Sequence, residues 1–226
     1  MQSNISSRRV NARKAGDDEY EKKRKKIIFG AAAVFKEKGY QAANVGDIAK
    51  KAGIDRASIY YYYKGKTELF REMVEEAMTG NVVMAEQIAA SDQVPLRKLK
   101  NLVERLFESY ERHYPYLFVY VQEDMARMLS DKTPWNLKMR SLSKRFDVAI
   151  IKIIQDGIDD GSFNTKGDAK LLAAGIIGMC NWSHRWFEPG KYDRHQISRV
   201  FSDLILEGLK ASRKSKGLGG SRPVAL

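Results

Sequence analysis

The sequence predicts an all-α chain, and three observations carry that prediction. Apolar residues recur at helical spacing along most of the length, no convincing run alternates as a strand would, and prolines and glycines fall where helices start and stop. A length of 226 residues is enough for a sizeable core and one or two small domains. With 43% hydrophobic and 30% charged residues, the composition is that of an ordinary globular chain and not of a disordered one.

Taken in order, residues 1–18 read as a flexible basic arm carrying Arg8, Arg9, Arg13 and Lys14. Asp17, Asp18 and Glu19 put negative charge where a helix start favours it. Ile27, Ala31 and Phe35, with Ile28 and Ala32 beside them, form the apolar line of a first helix that Gly39 ends. Asn44 opens a short second helix as its cap, with Asp47 three residues on; Ile48, Ala49 and Ala52 face inward and Gly53 stops it. A third helix runs from about Arg56 to Tyr63, and the Lys64-Gly65 break precedes a fourth. A longer helix followed by two short ones joined at a glycine turn is the helix-turn-helix layout, placed here at 19–66. Further helices are expected at about 67–90, 95–113, 116–130, 135–160, 168–187 and 194–212. Pro95, Pro115 and Pro134 lie near three of the starts, where a missing N–H costs nothing, while Gly161 and Pro189-Gly190 mark stops. Residues 67–212 then form a second, larger helical domain, and 213–226, rich in Gly, Ser and Lys, a disordered tail.

Charge is distributed unevenly. The net charge is +12, and residues 1–66 hold 16 Lys and Arg against 7 Asp and Glu, whereas the other 160 residues hold 24 against 21. A positive excess confined to the first third is the footprint of a surface that meets phosphates, although a solvated basic face would look the same by charge alone. No run reaches the roughly 18 apolar residues of a membrane span, and residues 1–14 lack the apolar core of a secretory signal, so a cytoplasmic protein without membrane contact is expected. Cys180 is the one cysteine; it reads as a small buried hydrophobe in a reducing compartment.

Residues 44–69 read NVGDIAKKAGIDRASIYYYYKGKTEL. Through Asp47-Ile48-Ala49, Ala52-Gly53-Ile54, Ser58-Ile59-Tyr60-Tyr61 and Lys64 to Leu69, this segment closely resembles the DNA-binding signature of the tetracycline-repressor (TetR) family of bacterial regulators. Three positions depart from it: Ala57 stands where glycine or proline is common, Tyr63 where phenylalanine is, and Gly65 where serine or asparagine is. The resemblance implies a homodimeric, ligand-responsive repressor on a palindromic double-stranded operator, with no cofactor. Side chains at the start of the third helix would meet base edges. Arg56 suits guanine O6 and N7, small Ala57 and Ser58 allow close approach, and Tyr60, Tyr61 and Tyr62 would reach phosphates. Asn44 and Gly46 belong to the same expected surface, and Lys66 resembles the family's phosphate-contacting lysine at a helix start. Ile59 and Tyr63 are expected in the core.

The resemblance further implies that the later helices bind an effector and form the dimer. The aromatic segment 107–123 offers Phe107, Tyr110, Tyr114, Tyr116, Phe118 and Tyr120, with His113 and Glu123 nearby, as an apolar pocket with polar handles, each of which core packing alone would also explain. Leu172, Ile176, Met179 and Trp186, beside small Ala174, Gly175 and Gly178, are expected at the dimer interface. So is the wide stripe of Ile197, Val200, Phe201, Leu204, Ile205 and Leu209. Residues 181–190 resemble a W-x-x-R-W-Y/F-x-P-G stretch of family members that sense acyl-CoA thioesters. That would turn Trp182 and Arg185 to the pocket and offer Arg127 or Arg140 to CoA phosphates.

Two rival classes bound this reading. For an enzyme, no glycine-rich phosphate loop is present, and His113, His184 and His195 lack metal-ligand spacing; the Cys180 and His184 pair is the weak remaining candidate. A non-specific basic DNA-binding protein would explain the charge but not the large, nearly neutral remainder. A regulator sensing a different hydrophobic molecule is the nearer alternative.

Overall fold

The computed structural model describes residues 17–122, 132–163 and 167–209. They form helices α1 (Asp17–Ala42), α2 (Val45–Ala52), α3 (Arg56–Tyr62), α4 (Lys66–Ala90), α5 (Pro95–Arg112), α6 (Tyr116–Gln122), α7 (Pro134–Asp159), α8 (Ala169–Trp182) and α9 (Arg194–Leu209), with no strand among the described residues. None of these helices is long and apolar enough to cross a membrane.

Local chemistry sets the boundaries of the short helices. Gly39 has φ 74°, a left-handed conformation that breaks α1 one turn before its last residue. Asn44 Oδ1 accepts from the Asp47 N–H at 3.0 Å, and the Asn44 amide donates back to the Asp47 carboxylate at 2.8 Å, closing the start of α2. Gly53 ends α2 in the left-handed region, its N–H bonding carbonyls of the preceding turn. Asp55 then caps α3 by accepting from the Ser58 N–H at 2.9 Å. Gly30 permits the tight α1–α2 crossing, since a Cβ there would lie 2.9 Å from the Ala52 backbone nitrogen.

The core is continuous from the first helices to the last. Ile27, Ala31, Val34 and Phe35 of α1 meet Ile48 and Ala49 of α2, Ile59 of α3, and Leu69, Phe70, Met73 and Val74 of α4. Phe35 and Phe70 contact edge to face at 5.9 Å, so α4 anchors the three-helix unit through its first turns. Its remaining length packs on α7 and α5; α9 packs on α5, and α8 on α7. Helix α4 therefore belongs to both halves of the molecule.

Two expected elements end elsewhere. The helix foreseen over 168–187 stops at Trp182, and Ser183–Arg185 tighten into a 3₁₀ turn. The Ser183 carbonyl accepts from both the Trp186 and Phe187 N–H groups, which turns Phe187 into the core against Phe107 at 6.4 Å. A continuing α-helix could not bury that ring. For the helix expected at 116–130, the structure describes only α6, through Gln122; residues 123–131 lie outside the described residues, as do the arm at 1–16 and the tail from 210.

Candidate nucleic-acid interface and inner cavity

Helix α3 divides its side chains sharply. Ile59 is 1% exposed and Tyr63 2%, so both serve the core as their spacing predicts. Arg56, Ala57 and Tyr60 are exposed, while Ser58, Tyr61 and Tyr62 are half-buried. Arg56 donates to Tyr60 Oη at 3.2 Å, with its guanidinium 5.8 Å from the ring centre. One turn apart, these two present a cation and a phenol on a common outward face.

The remaining expected DNA contacts are more constrained. Asn44 and Asp47 are engaged with each other, and Lys38 lies 2.9 Å from the Asp47 carboxylate. Gly46 is half-buried in the first turn of α2 beside Asn44 Oδ1. Ser58 Oγ donates to Asp55, whose exposed carboxyl these Ser58 bonds hold below the usual carboxylate range. Tyr62 stacks obliquely on Tyr20 of α1 at 4.8 Å, with Tyr61 edge-on to it at 5.7 Å. Burial raises the Tyr62 phenol above its ordinary value.

Lys66 is a correction. Expected at phosphate, its ammonium instead donates to the carbonyls of Tyr40, Gln41 and Ala43 at 2.8, 2.9 and 2.8 Å, with the Tyr40 ring 4.8 Å away. An ammonium has three N–H groups, and all three are turned to the end of α1, where carbonyls lack helical partners. The lysine thus staples the start of α4 to the end of α1. A second tie went unforeseen: Arg24 of α1 bonds Glu72 at 2.7 Å and Glu76 at 3.2 Å, and Tyr63 Oη donates to the same Glu72 at 2.9 Å. Three helices converge on one carboxylate there. Tyr63 was visible as core, but only the fold shows what its hydroxyl meets.

Between α4, α5, α6, α7 and α8 lies an inner cavity of about 200 Å³, lined by apolar Met78, Leu106, Leu117, Phe146 and Ile177. Asn81, Tyr110, Tyr120, Ser143, Asp147 and Asn181 supply its polar groups. Tyr110 Oη donates to Asn181 Oδ1 at 2.5 Å, joining α5 to α8. Burial raises the Asp147 carboxyl above its ordinary value and the Tyr120 phenol likewise.

Of the residues expected at an effector pocket, Tyr110 lines this cavity. Phe107 is fully buried, edge-on to Tyr110 at 5.6 Å and to Phe201 at 5.1 Å, and is core. Tyr114 lies beside Lys36 of α1, whose Nζ is 5.4 Å from the ring centre. Trp182 is 58% exposed with the Arg185 guanidinium 4.7 Å over its ring, so that pair faces outward from the end of α8. Phe118 belongs to α6; Glu123 and Arg127 lie outside the described residues, and Arg140 is exposed on α7. Tyr120, one of the phenols of the aromatic segment, also lines the cavity, whereas Asn81, Asp147 and Asn181 were missed. Their signal was a polar residue interrupting an apolar helical face, as Asn81 does before Val82.

Three of the expected dimer residues, Leu172, Ile176 and Met179, turn inward instead. Ile176 is 7% exposed and packs inward, with Leu172 and Met179 partly buried against the same core. Ala174, Gly175 and Gly178 lie on the outward face as expected, joined there by Leu171 and Trp182, and Val200 and Leu204 of the expected stripe continue it on α9. The slip is one position around the helix. Cys180 is fully buried, and burial pushes its thiol up to about 12, the reverse of an activated nucleophile.

Comparison with known proteins places this architecture. A family model described as "Bacterial regulatory proteins, tetR family" matches residues 27–73, and one described as "Tetracyclin repressor-like, C-terminal domain" matches residues 92–209. The chain belongs to the TetR family. Among TetR relatives, it is 28% identical over 195 residues to the HTH-type transcriptional repressor KstR2 of Mycolicibacterium smegmatis, covering 86% of this chain and 94% of that one. The solved structure of the ketosteroid transcriptional regulator KstR2 of Mycobacterium tuberculosis superposes with a TM-score of 0.74 at 27% identity, covering 83% of this chain and 95% of that one. The fatty acid degradation regulator FadR of Bacillus halodurans gives 0.65 at 27% identity, covering 83% and 96%. The TetR signature read from residues 44–69 lies inside the first matched segment, and its three helices are α2, α3 and the start of α4.

Proposed function

We propose that this chain is a ligand-responsive repressor that grips a palindromic operator as a homodimer and releases it when a small apolar effector fills the inner cavity. The observation that carries the reading is the outward pair of Arg56 and Tyr60 on a short helix capped at its start and buried on its other side. Such a helix enters a major groove with Arg56 toward base edges, Ala57 and Ser58 close to the groove, and the tyrosines toward phosphates. Asn44 and Gly46, at the start of α2, approach the backbone.

The exposed apolar face of α8 and α9 supports the dimer, because two copies meeting there would cover Leu171, Trp182, Val200 and Leu204 together. Two recognition helices are then available for half-sites about 34–36 Å apart. An apolar effector is supported by the cavity lining, and by relatives named for ketosteroid regulation and fatty acid degradation. The acyl group of an acyl-CoA ester is one such occupant, its charged CoA moiety staying outside the cavity. Release follows from α4, whose first turns anchor the DNA-binding helices while Met78 and Asn81, further along, line the cavity. A ligand that widens the cavity shifts α4 and with it the spacing of the two recognition helices.

The test is anisotropy titration of the full chain on DNA from its own promoter region, with scrambled DNA as competitor, over a salt series. Arg56→Ala is expected to lose about 1–3 kcal/mol of specific affinity and to relax sequence preference. Weak binding, equal for every sequence and abolished by modest salt, would sink the operator reading in favour of a charge-driven DNA coat.

A further inference from the structure

We propose that the inner cavity selects an uncharged apolar ligand bearing a hydroxyl, met by Tyr120 Oη and the Asp147 carboxylate, and rejects free carboxylic acids. The inference rests on the effector-site reading and names the chemistry of its occupant.

Tyr120 is 1% exposed, lines the cavity, and its hydroxyl has no hydrogen-bond partner among the described residues. A buried phenol without a partner carries an unmet polar demand, and a hydrogen bond from a ligand removes that cost. Its neighbours do not meet the demand from within: Tyr110 is engaged with Asn181 across the cavity. The Tyr120 ring is held edge-on by Trp135 at 6.1 Å and 90°, which fixes its direction. The wall therefore offers a rigid donor to a ligand oxygen.

Charge decides which oxygen. Among the described residues, the lining holds no lysine, arginine or histidine, and Asp147 is its sole ionisable carboxyl. Asp147 forms no ion pair with the described residues. A carboxylate brought into this apolar space would lose its own hydration and meet Asp147, at the solvent-exposed rim, as a like charge, with no cation among the described lining residues to offset it. A hydroxyl has the opposite character: it accepts from Tyr120 and has a proton to donate to Asp147. Volume bounds the remainder of the ligand. A dry cavity of about 150 Å³ takes benzene, so about 200 Å³ takes a compact ring system and not a long extended chain.

The experiment uses the full chain and three monocyclic probes of nearly one shape: cyclohexanol, the hydrocarbon cyclohexane, and cyclohexanecarboxylate. Binding is read by calorimetry and by fluorescence from Trp135, with operator release in parallel. The alcohol is expected to bind about tenfold more tightly than the hydrocarbon, and the carboxylate most weakly of the three. Tyr120→Phe keeps the ring and deletes the hydroxyl; it should remove that tenfold preference while leaving cyclohexane affinity and Tm unchanged or higher. Asp147→Asn should raise carboxylate affinity. The proposal is overturned if the carboxylate binds as well as the alcohol, if Tyr120→Phe leaves the alcohol's advantage intact, or if no probe binds. If the alcohol binds with the expected preference but does not loosen operator DNA, the ligand chemistry stands and the effector reading fails.

Discussion

Lys66 shows how one residue's role can be reversed by what surrounds it. In the sequence it is a basic residue opening a helix beside a DNA-binding motif, and phosphate is the natural partner. In the fold, the carbonyls of Tyr40, Gln41 and Ala43, at and just past the end of α1, lie within 2.9 Å of its nitrogen. Moving the ammonium to phosphate would forfeit all three of these bonds, so local satisfaction wins. Lys66→Met is therefore expected to cost about 1–2 kcal/mol of stability in urea unfolding. The salt dependence of DNA binding should stay unchanged, because no phosphate contact is lost. A salt slope reduced by about one would show the opposite role. Arg56 differs: it stands at the first turn of a capped helix and donates to its outward i+4 neighbour Tyr60 rather than to a backbone carbonyl.

At the scale of elements, the join between α5 and α6 couples the two halves. His113 lies there half-buried, its Nδ1 3.0 Å from Ser109 Oγ and its ring 5.8 Å from that of Tyr116. Burial first, and the neighbouring Arg112 second, hold its imidazole below the ordinary value of 6.5. The folded chain thus takes up this proton less readily than the unfolded chain. The resulting stability is intact above pH 6.5 and is lost as the pH falls below it. Thermal melts at pH 7.5 and 5.5 should show a larger fall in Tm for the wild type than for His113→Gln; equal falls would contradict this. Helix starts were generally legible, because caps and N1 prolines are local: Asn44, Pro95 and Pro134 each stand where a helix begins. The end of α8 was not. Apolar periodicity continues through Trp186, and only the demand to bury Phe187 makes the chain turn.

For the whole molecule, the exposed face of α8 and α9 carries a clear consequence. Leu171 is 74% exposed and Leu204 61%, on helices whose opposite faces are fully engaged. Replacing both by glutamate places charge on the surface that a second copy would cover. Sedimentation is expected to show monomers that keep their helical circular dichroism but bind operator DNA far more weakly. A double variant that still sediments as a dimer would move the interface elsewhere.

What the sequence determined by itself was the helical class, most helix starts, the helix-turn-helix and the family, because each rests on short-range chemistry. Periodicity, caps, breaker residues and a motif of 26 consecutive positions are complete within a few turns of chain. What only the tertiary structure decided was the direction in which side chains face. Tyr110 and Asn181 are 71 residues apart and meet in one hydrogen bond. Phe107, read as pocket, is core, and Trp182, read as pocket, is surface. A helix presents every residue to some side, and which side is inward depends on where the other helices lie. A rotation of one residue, about 100° on a 3.6-residue turn, exchanged Leu172 for Leu171 at the surface.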